Sequence, residues 1–228
     1  MLDELDHLID LQRQMGRKIC KYAKRRRPNA ARLGGLQQIT GWVPEDMREL
    51  YHRYDGIEAP LTMWEEHAYI WGHAFWNTSR ALELKNRTSH TRDTFPLSDE
   101  ISLSTMRGSG GLMATSLGGD RYVLTIGCSV MSDVRYPAFD NFRSMFLTYI
   151  DALETGAWTF DADGVSIFDE AKFVECAQTH NTHADYWDAC VAGTVDFKKE
   201  ELMQGLVRPR LTPKSGRQML AESGFDLE

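Results

Sequence analysis

Apolar residues recur at Val43, Met47, Leu50, Tyr51 and Tyr54, spacings of i, i+4, i+7, i+8 and i+11, with Arg48, Glu49, His52 and Arg53 between them. That period predicts an amphipathic helix with one buried stripe. Pro44 suits its first helical position, where the missing N–H costs nothing, and Glu45 and Asp46 follow in the turn where the helix dipole favours negative charge. Asp55-Gly56 ends it, since glycine enters the left-handed region without strain. A second wide stripe, Phe139, Phe142, Met145, Phe146, Tyr149, Ile150 and Leu153, predicts a helix that starts behind an Asp140 cap and stops at Gly156. Leu5, Leu8, Ile9, Met15, Ile19 and Tyr22 also keep helical spacing, so a first helix is expected over residues 3–24. Shorter helices are expected over 30–39, 169–178 and 182–192, the last two broken apart near Asn181.

The pattern changes period between residues 111 and 126. Leu112 to Leu117 and Arg121 to Ile126 flank Gly118-Gly119-Asp120, the signal of a tight hairpin, and Tyr122, Val123, Thr125 and Ile126 suit a half-buried strand. Further short strands are expected over 130–134 and 158–167. Together these elements predict an α+β fold, an antiparallel sheet packed with helices. Three segments are expected: an N-terminal helix with a basic end over 1–28, the α+β domain over 29–195, and a polar C-terminal extension over 196–228.

With 228 residues, 42% of them hydrophobic and 11% aromatic, the chain has the composition of a soluble globular protein. No apolar run approaches the ~20 residues of a membrane span, and MLDELDHLID is acidic where a signal peptide is basic and then apolar, so a cytoplasmic protein is expected. Cys20, Cys128, Cys176 and Cys190 are far apart with no CxxC, which predicts reduced thiols. Charge is uneven. Residues 1–32 carry nine Lys/Arg against four Asp/Glu, whereas residues 33–228 carry 17 against 29, a net −12. Such a body favours a basic partner and argues against nucleic acid.

The stretch Val43-Pro44-Glu45-Asp46-Met47, followed by Leu50-Tyr51 and Asp55-Gly56, resembles the signature of the SUKH superfamily, L-P-x-D-h-x-x-h-Y-x-x-x-D/N-G with h apolar. Val43 for the usual Leu is the one departure within it. Family members continue with an aromatic-rich loop, antiparallel strands and a late helix opening with Ser-Phe, for which this chain has Asn141-Phe142. The resemblance makes Trp42, Pro44, Leu50, Tyr51, Gly56 and Phe142 the fold signature. It implies a protein-binding role, that of an immunity protein that neutralises a cognate bacterial toxin, often a nuclease. The alternative within the superfamily is a regulatory scaffold of the cell-wall-synthesis-regulator type, to which the basic run Lys24-Arg25-Arg26-Arg27 and the polar tail are suited.

Residues that could carry chemistry are few. Gly108-Ser109-Gly110-Gly111 lacks dinucleotide-fingerprint spacing and Gly127-Cys128-Ser129 is not G-x-S-x-G. Asp161, Asp163, Gly164 and Glu170 match part of a calcium loop, but Thr159 stands where the first Asp is needed. Cys176 and His180 lie one helical turn apart and, with His183 and Cys190, offer thiolate and imidazole ligands for zinc, the basis of a third reading as a zinc-dependent enzyme. Against these stands the densest aromatic stretch, residues 61–84, where Trp64 beside Glu65 and Glu66 is the candidate exposed contact for a basic toxin domain. The expectation is therefore a binding protein without catalytic residues or cofactor.

Overall fold

The computed structural model describes residues 1–17, 20, 23, 30–56, 77–83, 100–103, 111–127, 135–162, 166–182 and 187. It is an α+β fold. In chain order the elements are α1 (Leu2–Gln14), α2 (Ala30–Thr40), α3 (Glu45–Tyr54), β1 (Glu100–Ser102), β2 (Gly111–Gly118), β3 (Arg121–Gly127), β4 (Arg135–Phe139), α4 (Phe142–Glu154), β5 (Trp158–Phe160), β6 (Ser166–Phe168) and α5 (Glu170–His180). A further helical segment covers 78–83.

Strands β1 to β4 form an antiparallel meander in chain order, and β5 pairs with β6 in a separate hairpin. The expected hairpin is present: Leu112 faces Ile126, Ala114 faces Leu124 and Ser116 faces Tyr122, with Gly119 at φ +60° in the turn. Register alternation puts Ile101, Leu112, Ala114, Leu124 and Ile126 on one face, where they join the helices in a single core. The opposite face carries Glu100, Met113, Thr115, Val123 and Thr125, also buried, with the Thr115 and Thr125 hydroxyls 3.0 Å apart. The stripes read from the sequence are the buried faces of their helices: Val43, Met47, Leu50, Tyr51 and Tyr54 beside α3, and Phe142, Met145, Phe146, Tyr149, Ile150 and Leu153 on α4.

Four features differ from the sequence reading. Helix α1 stops at Gln14, because Gly16 turns to φ +77° and the Arg17 N–H bonds back to the Gln12 carbonyl at 3.0 Å. Pro44 is the N-cap of α3 rather than its first helical residue, with extended ψ of 149°. Asn141, not Asp140, caps α4: its side chain accepts the Ser144 N–H at 3.0 Å while the Ser144 hydroxyl accepts the Asn141 N–H at 3.1 Å. Asp140 instead accepts the Thr182 N–H and hydroxyl, each at 2.9 Å. Residues 158–167 hold not one strand but the β5–β6 hairpin. The fourth strand is Arg135–Phe139, while the expected strand at 130–134 lies outside the described residues.

The first helix belongs to the core. Leu5, Leu8 and Ile9 are buried in it, Asp6 binds Arg53 and the Tyr54 hydroxyl of α3, and Glu4 pairs with Arg143 of α4 at 2.8 Å. Among the described residues no helix is long and apolar enough to cross a membrane.

Candidate functional site

Proline at the N-cap of α3 has no side chain to accept an amide, so the first turn needs another acceptor. Asp46 supplies it, taking the Met47 N–H on Oδ1 at 2.8 Å. Its Oδ2 accepts the hydroxyl of Tyr122, from the start of β3. That hydroxyl in turn accepts the N–H of Phe142, the first residue of α4, at 3.1 Å. One phenol therefore joins the starts of two helices that are nearly 100 residues apart. Its ring also lies between two signature residues, 6.4 Å from the Trp42 ring and 5.8 Å from that of Phe142.

Burial sets the titration here. Desolvation raises the Asp46 carboxyl above its ordinary value, outweighing the hydrogen bonds it accepts. The Tyr122 phenol is pushed far up, first by burial and then by the Asp46 charge, so it stays a donor to Asp46.

Beside this junction lies an open groove of about 530 Å³ lined by Gln37, Gly41, Trp42, Val43, Pro44, Glu45, Arg48, Gly119 and Asp120. Helix α3 presents its start to the groove and the β2–β3 turn closes the other side. Trp42 is half-buried, and its indole N–H is shielded from solvent with no acceptor among the described residues. Arg48 is turned inward, its Nε donating to the Val43 carbonyl at 3.2 Å and its Nη2 to Gln37. Glu45 points outward, its side chain 82% exposed and 3.7 Å from Arg48. Asp120 is exposed at the hairpin tip. Among the described residues the rim is thus acidic, and its arginine, Arg48, is already committed.

The remaining signature residues are structural. Leu50 and Tyr51 are buried in the core, and Gly56, at φ +85°, follows the α3 C-cap, Asp55. Trp64, Glu65 and Glu66 lie outside the described residues, as do His183 and Cys190.

Cys176 and His180 do share a face of α5, and it packs on α4. The Cys176 sulfur is 3.6 Å from the Thr155 hydroxyl, and His180 Nε2 is 3.4 Å from Asp151 Oδ2. Burial, and then the Asp151 charge, push the Cys176 thiol up, away from the thiolate that metal ligation or nucleophilic attack needs. Helix α5 ends at His180, with Asn181 as an extended C-cap. Among the described residues no group of three or more His, Cys, Asp or Glu side chains is placed to hold a metal ion.

Reading the sequence singled out Trp42 and Phe142 but not Tyr122, Asp120 or Gln37. The hairpin signal at Gly119-Asp120 places Asp120 at a strand tip, which is the one local clue; the partnership of Asp46 with Tyr122 spans 76 residues and has none. No protein-family model matches the chain, and a search of curated proteins returns no match.

Proposed function

We propose that this chain is a protein-binding module of the immunity type, which neutralises a basic toxin domain by covering it with the acidic rim of the α3 groove. The observation that carries this reading is the arrangement of charge around Trp42: Glu45 and Asp120 face outward while Arg48 is held by Val43 and Gln37. Glu49, one turn on from Glu45, is exposed on the same helix. A half-buried tryptophan ringed by solvated carboxylates has the anatomy of an interface anchor with a polar rim. The net −12 of residues 33–228 adds long-range attraction toward a basic enzyme. The resemblance to SUKH immunity proteins supplies the biological role.

The test is affinity purification of the tagged full chain from its own host at low and high salt, with mass spectrometry of the eluate. One stoichiometric partner with toxic activity, lost at high salt, is the expected result. A partner whose retention ignores ionic strength counts against electrostatic docking. Deletion of residues 1–28 is a poor control for the scaffold alternative, because it strips Leu5, Leu8 and Ile9 from the core.

A further inference from the structure

Resting on that reading and narrowing it, we infer that the α3 groove receives an arginine side chain of the partner, laid against Trp42 between Glu45 and Asp120. The groove holds about 530 Å³, within the range of sites that enclose a small molecule or a long side chain. Its charges select a cation. The positive end of the α3 dipole is already met by Glu45 and Asp46 in the first turn, and Arg48 is occupied by the Val43 carbonyl and Gln37. Asp120 is exposed and has no ion pair among the described residues, and Glu45, its side chain 82% exposed, approaches Arg48 only to 3.7 Å, loose enough to exchange.

Arginine fits better than lysine. A guanidinium lies flat on an indole face while its edge N–H groups reach carboxylates on either side, which a spherical, strongly hydrated ammonium cannot do. The acidic rim and the aromatic floor therefore ask for one planar cation. Trp42 is held ready for it by the Tyr122 ring behind it, itself tied to Asp46 and Phe142. Gly41 and Gly119 leave the approach open: a Cβ at either would meet nothing within 4 Å.

The probe is the peptide Ac-Gly-Arg-Gly-NH2, titrated into the full chain carrying ¹⁵N-labelled tryptophan, with the Trp42 indole resonance assigned by its loss in Trp42→Phe. A saturable shift of that resonance is expected, weaker with the Lys peptide and absent with the Gln peptide. The double variant Glu45→Gln/Asp120→Asn, altered only at exposed positions, should bind the Arg peptide about tenfold more weakly. No shift, an equal response to the Gln peptide, or undiminished binding by the double variant overturns the inference. So does concentration-dependent dimerisation abolished by the double variant, which would make a second copy the occupant. The two proposals fail separately. A toxic partner captured equally by the wild type and the double variant leaves the immunity reading standing and removes the arginine site. Arginine-specific binding with no captured partner does the reverse.

Discussion

The Asp46–Tyr122–Phe142 junction and the Asp151–Thr155–Cys176–His180 junction are built from similar parts, a carboxylate beside a hydroxyl where a helix meets another element, yet they have opposite characters. In the first, both carboxylate oxygens and the phenol are hydrogen-bonded, and the cluster stands behind an open, acid-rimmed groove. In the second, a buried thiol with a raised pKa sits in the seam between α4 and α5, and His180 approaches Asp151 at 3.4 Å without the alignment of a hydrogen bond. The difference shows that two residues one helical turn apart define a shared face, but the group that the neighbouring element brings decides the chemistry. Asp151 disfavours a thiolate at Cys176; Tyr122 completes the acceptor set of Asp46.

The comparison can be broken most directly at Tyr122. Tyr122→Phe keeps the ring but leaves the Phe142 N–H and Asp46 Oδ2 without their partner, and should lower unfolding stability by about 1–3 kcal/mol in urea titrations. A loss below about 0.5 kcal/mol would show that the phenol does not tie the two helices. Asn141→Ala comes next, at about 1 kcal/mol, since it removes the capping box of α4 while Asp140 stays engaged with Thr182.

Asp46→Asn sharpens the comparison through pH. The folded Asp46 carboxyl titrates above its unfolded value of 3.8, so folding favours its neutral form. That contribution is complete below pH 3.8 and is lost as pH rises through the folded pKa. Relative to Asp46→Asn, the wild type should therefore lose stability as pH rises from 3.8, and a difference that is flat or opposite in sign would refute the assignment.

The smallest effects belong to the second junction. Cys176→Ala should leave the number of thiols that react with Ellman's reagent in the folded protein unchanged, because Cys176 is 6% exposed and its thiol is protonated. His180→Gln should change stability by less than about 0.5 kcal/mol, because its partly exposed imidazole stands 3.4 Å from Asp151 with no hydrogen bond among the described residues to lose. A larger loss would mean that this junction, too, is a structural tie.

Local order along the chain was enough to place α3, α4, the 111–127 hairpin and their buried faces, because hydrophobic period, Gly56 and Gly156 act within a few residues. The same order misplaced the end of α1 and the cap of α4, where Gly16 and Asn141 compete with equally plausible neighbours and backbone geometry chooses. Spacing also put Cys176 and His180 on one face, and the break at Asn181 was legible. Tertiary structure alone decided the candidate site. Trp42 and Asp120 meet only because the β2–β3 turn returns to the start of α3, and Asp46 and Phe142 are joined only through Tyr122. A hydrogen bond across 76 residues leaves no trace in local period, since each partner alone reads as an ordinary first-turn acid or strand aromatic.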